Sequence, residues 1–205
     1  MAQPDLLGAA SGLLLDDASG RIRYLRGAVH AAQAHTWFAQ LHDSIEWQSE
    51  RREMYGREVD VPRLTASFRL DAPALPPALR EAADAVLALT RIAFNRAGLN
   101  LYRDGNDSVA PHNDHLDELE RGYPIALLSL GATRRMTIRA KQPPRRVLNV
   151  DLESGSLLLM SWRTQRHYDH AIPKTRTPVG ARISIAFRRR PQGAPAGGFY
   201  RTPDA

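Results

Sequence analysis

No cysteine occurs in the 205 residues, which excludes a disulfide framework, a thiolate zinc site, an iron–sulfur cluster and a cysteine nucleophile. Any metal must sit on His, Asp or Glu. Lysine is almost missing too: Lys141 and Lys174 are the two lysines among 28 basic residues. The rest are arginine, whose flat guanidinium suits paired recognition of phosphate or carboxylate. Long apolar runs are also lacking. Residues 6–15 are interrupted by Gly8, Ser11 and Gly12 and follow Asp5 where a secretory leader wants positive charge. A cytoplasmic location with no membrane attachment is the expectation.

What is present describes a soluble globular chain, 43% hydrophobic and 24% charged, able to bury a core and too apolar for wholesale disorder. The net charge of +6 hides two opposite halves. Residues 1–120 hold 12 basic and 18 acidic side chains, whereas residues 121–205 hold 16 and 4. A basic half suggests a polyanionic partner.

Without repeats or low-complexity linkers, 1–205 reads as one domain, and a monomer is expected. Residues 1–27 form a strand-rich lead-in ending at the turn-forming Gly27. Apolar residues Ala34, Trp37, Phe38, Leu41 and Ile45 keep a helical period over 30–45. A second helix begins at Pro76 and Pro77, carries Leu79, Ala83, Val86, Leu89 and Ala93 on one face, and is expected to close at Gly98. Residues 46–73 show no clean period and read as loops and short strands. Beyond 99, the runs 125–130, 135–139, 147–152, 156–162 and 182–187 are short, rich in β-branched or large apolar residues, and separated by turns. They predict a mainly β, α+β protein: a sandwich or barrel with the two helices packed outside. The tail from Pro191, with three glycines and three prolines, reads as a poorly ordered surface strap.

His112 and Asp114 are two residues apart, so on an extended chain they point to one side. One imidazole and one carboxylate can then share a metal, with a third ligand from His170. Two histidines and a carboxylate on one face of a metal is the arrangement of non-heme Fe(II) oxygenases. Arg182 and Arg188, six residues apart, also share one side of a strand, and two guanidinium groups beside a metal would hold a dicarboxylic acid.

The segments Asn100-Leu101-Tyr102-Arg103-Asp104-Gly105-Asn106-Asp107-Ser108, His112-Asn113-Asp114, Ser129-Leu130-Gly131-Ala132-Thr133-Arg134, His170 and Arg182-Ile183-Ser184-Ile185-Ala186-Phe187-Arg188 closely resemble the AlkB family of 2-oxoglutarate- and Fe(II)-dependent dioxygenases, in particular its bacterial repair proteins. Met54-Tyr55-Gly56 and Pro62-Arg63-Leu64-Thr65 resemble the family's substrate lid. The resemblance covers about residues 45–190.

It implies a double-stranded β-helix (jelly-roll) core over 99–190, preceded by an extension over 1–98 that carries the helices and lid. It further implies Fe(II) on His112, Asp114 and His170, with His170 favoured over its neighbour His167. Asn100 and Tyr102 should hydrogen-bond 2-oxoglutarate, Arg182 should pair with its distal carboxylate, and Arg188 should lie by the carboxylate next to the metal. Ser184 stands where the family often has asparagine. The implied reaction consumes O2 and 2-oxoglutarate, releases succinate and CO2, and hydroxylates an N-alkyl group on a nucleobase, which then loses an aldehyde. Met54, Tyr55, Phe68 and Trp47 are candidates to sandwich an extruded base, and His115 and Arg134 to contact substrate. Arg134, Arg135, Arg139, Arg145 and Arg146 are candidate phosphate contacts. Relatives commonly carry an acidic residue one or two places after the metal aspartate. Here those places hold His115 and Leu116, so Asp117 or Glu118 would have to substitute. Alkylated DNA is the expected substrate. The alternatives are RNA or a protein side chain with the same chemistry, or a non-catalytic nucleic-acid-binding module.

Overall fold

The computed structural model describes residues 11–54 and 57–191, with side chains described over 12–49 and 61–191. Twelve strands among these form two antiparallel sheets. In chain order they are β1 (Ser11–Asp17), β2 (Gly20–Leu25), β3 (Gln48–Met54), β4 (Arg57–Arg69), β5 (Arg96–Tyr102), β6 (Val109–His112), β7 (Ile125–Gly131), β8 (Arg134–Ala140), β9 (Val147–Leu152), β10 (Leu157–Met160), β11 (Tyr168–Ile172) and β12 (Arg182–Arg188). The large sheet runs β1-β2-β10-β7-β12-β5-β4-β3 and the small sheet β6-β11-β8-β9. The large sheet crosses the boundary expected at residue 98, because β1 to β4 are built into it.

Alternation along the strands makes three layers. In β12, Ile183, Ile185 and Phe187 face the two long helices, α1 (Ala31–Ser44) and α2 (Pro77–Thr90), together with Trp37, Leu41, Leu79 and Val86. The opposite side of the large sheet gives Ile22, Tyr24, Leu127 and Leu158 to a second core shared with Met136, Ile138, Leu152, Tyr168 and Ile172 of the small sheet. Arg182, Ser184, Ala186 and Arg188 look into this interior because a strand's side chains alternate. No helix among the described residues is long and apolar enough to cross a membrane.

The first helix follows the predicted period, and the His30 ring accepts the Ala32 N–H as its cap. The second helix stops earlier than expected. Thr90 Oγ1 donates to the Val86 carbonyl and accepts the Ile92 N–H, and Arg91 turns left-handed at φ 60°. Gly98 therefore sits inside β5, opposite Ala186 and Ser67. The stretch read as loops and short strands is instead the long β3–β4 hairpin. Pro62 is tolerated in β4 because the pairing with β3 shifts beside it and the pairing with β5 begins only at Leu64.

Candidate metal and co-substrate site

His112 ends β6 and pairs directly with His170 in β11. Strand register thus brings together two imidazoles 58 residues apart, with ring centroids 4.4 Å from each other. Asp114 follows two residues later, and the ligand atoms of His112, Asp114 and His170 all lie within 4.8 Å. His167 belongs to the short helix α3 (Thr164–His167) and is exposed. His112 Nδ1–H donates to the Ala110 carbonyl at 2.8 Å, which leaves Nε2 as the basic nitrogen, as metal-binding histidines require.

The electrostatics suit a cation. Burial pushes His170 down to about 3 and lowers His112 as well, so both rings are neutral and able to ligate at physiological pH. Burial alone would raise Asp114. The Arg188 guanidinium, bonding through Nε to Oδ2 at 2.5 Å, outweighs it and holds the carboxyl at about 2.

A row of small polar residues crosses the inner face of the large sheet: Thr65, Asn100, Ser184 and Ser129 are register partners. Arg63 Nε donates to Asn100 Oδ1 at 2.8 Å. One row further, Arg182 pairs with Tyr102 and its guanidinium lies 5.2 Å from the ring centroid. Arg182 is fully buried and gives one bond to Ser129 Oγ at 3.0 Å, while Nε and Nη1 have no hydrogen-bond partner among the described residues. Burial lowers its pKa to about 10, still far above neutrality. A buried guanidinium with two idle donors fits an anionic group. The donor sets therefore suit a divalent metal at the triad and a carboxylate at Arg182.

The substrate candidates fare unevenly. Tyr55 and the side chain of Met54 lie outside the described residues. Phe68 packs under the helices with Leu64 and Ala66, on the face of β4 turned away from the interior, so its expected place against a base is corrected. Trp47 packs on the same side and donates Nε1–H to the His42 carbonyl. Arg134 is buried, and its guanidinium bonds the Asp104, Asp107 and Pro173 carbonyls. It is a scaffold residue, not a substrate or phosphate contact. Arg135 is paired with Asp151. His115 is exposed beside the triad, and Glu118 is committed to the mostly buried Arg190 at 2.9 Å.

Arg139 and Arg145 survive as cationic candidates. With Lys174 they line a groove of ≈ 870 Å³ on the outer face of the small sheet, and the groove reaches His112 and Arg63. Among the described residues these three side chains make no hydrogen bond or ion pair. The sequence offers no site role for Gln165 or Lys141, and for Arg63 only its place in the lid-like segment. Burial marks Arg63 and Gln165 in space, and converging acceptors mark the partly exposed Lys141, whereas nothing local in the chain does.

Residues 69–188 match the model of the 2OG-Fe(II) oxygenase superfamily. DNA oxidative demethylase ALKBH2 of Homo sapiens is 31% identical over 180 residues, 77% of this chain and 69% of that protein. The Bos taurus protein of that name is also 31% identical, and the chain covers 65% of it, just under two thirds of its length. Alpha-ketoglutarate-dependent dioxygenase alkB homolog 3 of Homo sapiens is 30% identical, with 85% of this chain and 69% of that protein covered. Among solved structures, a prolyl hydroxylase from Trichoplax adhaerens aligns with a TM-score of 0.62 at 12% identity over 82% of this chain and 83% of that one, a likeness of fold alone. The metal triad, the buried arginine and these matches agree: the chain belongs to the AlkB family of the 2OG-Fe(II) oxygenase superfamily.

Proposed function

We propose that the protein removes N-alkyl groups from nucleobases in DNA by oxidation, with 2-oxoglutarate and O2 as co-substrates. The observation that carries this reading is the position of His112: it belongs to the triad and also lines the groove that holds Arg139, Arg145 and Lys174. A phosphate backbone following Arg139, Arg145 and Lys174 is thereby led to the metal ligands.

His112, Asp114 and His170 hold Fe(II). When bound with 2-oxoglutarate and O2, the iron supplies the oxidant, one oxygen atom ending in succinate and the other in the alkyl carbon. The chain's own residues bind and orient. Arg182 takes the distal carboxylate with its idle donors, beside Tyr102. Asn100, its oxygen already engaged by Arg63, offers its amide N–H groups to the co-substrate. Ser184 keeps the cradle small and polar, and Arg188 holds Asp114 ionised. The two sheets exclude water. The hydroxylated alkyl group then leaves as an aldehyde: its C–N bond breaks, and the base nitrogen keeps the electron pair and takes a proton.

Incubating the protein with Fe(II), ascorbate, 2-oxoglutarate and an N-methylated DNA oligonucleotide should yield formaldehyde and succinate one for one together with the restored base. Absence of turnover on every alkylated base offered, in DNA and RNA alike, overturns the reading. Faster turnover of the RNA strand in a mixed competition moves the substrate to RNA.

A further inference from the structure

One of the two lysines occupies a position where arginine would not serve. Lys141 follows β8, its side chain is 27% exposed, and its ammonium meets three acceptors: Asn113 Oδ1 at 2.6 Å, the Gln165 carbonyl at 3.0 Å and Asp169 Oδ1 at 3.5 Å. Each acceptor touches the metal triad through the chain. Asn113 lies between His112 and Asp114. Asp169 precedes His170. Gln165, buried, accepts the Asp114 N–H on Oε1 at 3.0 Å, and Asn113 Nδ2 donates to the Asp114 carbonyl at 2.9 Å. Both peptide groups of Asp114 are thus held, and both holders are tied to a single ammonium. The Lys141 N–H closes the ring on the His167 carbonyl at 2.9 Å.

We propose that Lys141 is a positioning residue that preassembles the triad by joining the segment of His112 and Asp114 to that of His170 before metal arrives. The inference rests on the reading that the triad binds a divalent metal. An ammonium offers three donors radiating from one atom, which suits acceptors converging from three segments, whereas a guanidinium spreads its donors in a plane. That difference gives a physical reason for lysine here in a chain otherwise rich in arginine. It also removes Lys141 from the cations of the groove available to phosphate.

The test is Co(II) titration of the full chain, followed by calorimetry and visible absorption without nucleic acid, for wild type, Lys141→Met, Lys141→Arg and Asn113→Ala, with thermal melting of each metal-free protein. Removing the ammonium should weaken Co(II) about 10- to 100-fold, the range typical of partners behind the ligands, and change the Co(II) spectrum, with melting within a few degrees of wild type. Lys141→Arg should fail to restore affinity. Asn113→Ala should lose affinity too, and adding it to Lys141→Met should cost little more. A Co(II) affinity within twofold of wild type in Lys141→Met, or losses that add fully in the double variant, overturns the inference. If Lys141→Met does not fold, unchanged affinity in Asn113→Ala overturns it. Failure of wild type to bind Co(II) overturns the metal reading itself.

Discussion

At the scale of single residues, the site depends on charges that burial would normally disfavour. Arg182 keeps a full charge in the core with two donors idle. Arg182→Met should weaken 2-oxoglutarate binding about 10- to 100-fold, because charge-assisted bonds contribute about 1.5–3 kcal/mol each, while Co(II) affinity without co-substrate stays the same. Equal losses in the two titrations would contradict the assignment. The histidines make acid the enemy of the metal-free fold. His170 titrates near 3 in the folded protein against an ordinary 6.5, so the unfolded chain binds the extra proton. Stability should therefore fall as pH drops from 6.5 toward 3. Asp114 is depressed from 3.8 to about 2, and the stability it gains from Arg188, present above 3.8, is lost as pH falls toward 2. Urea unfolding of metal-free protein between pH 7.5 and 4 checks the first window; His170→Asn should flatten the decline.

Residues were most legible where two conditions met: an unusual side chain and a spacing that only one geometry uses. His112 and Asp114 satisfied both, and so did Arg182 and Arg188. Arg134 and Phe68 satisfied neither. An arginine in a basic run reads as a surface phosphate contact until its three carbonyl acceptors are seen, and β-alternation decides Phe68 only after the strand containing it is recognised.

At the scale of elements, period and punctuation explain what was read and what was not. Five strands after residue 99 stood out because apolar runs alternate with Gly, Pro and polar turns. The β3–β4 hairpin did not, because Pro62 and the polar inner face of β4 mask the alternation of Leu64, Ala66 and Phe68. The α2 stop was misplaced because Thr90, an unremarkable residue in sequence, diverts two backbone bonds in space. Gly131, the last residue of β7, sits at φ +84°, where an added Cβ would lie 2.5 Å from the Ala181 carbonyl oxygen and 2.7 Å from the Phe38 ring. Both backbone and contact forbid a side chain. Gly131→Ala should cost about 1–3 kcal/mol, read as a lower urea midpoint with an unchanged slope.

At the scale of the whole molecule, the division of charge proves to be partly internal. Arg182, Arg188, Arg190 and Arg134 lie in the basic half of the chain yet are buried or nearly so. The cations left to a polyanion are fewer, with Arg139, Arg145 and Lys174 lining the groove. Replacing Arg139 and Arg145 together by Ala should weaken oligonucleotide binding across sequences and reduce the salt slope by about 2, one released counterion per contact. Co(II) affinity should not change.

The Asp114–Arg188 pair has one more consequence. Asp114 follows a strand of the small sheet, whereas Arg188 ends a strand of the large one, so the pair acts as a clasp at one mouth of the sandwich. A metal gripping that clasp restrains the breathing of both layers and not only of the loop that carries it, since ligand binding to the closed form opposes every opening that breaks the site. Co(II) should slow amide hydrogen exchange in β12 as well as in β6 and β11. Protection confined to the two strands of the small sheet would show that the layers open independently.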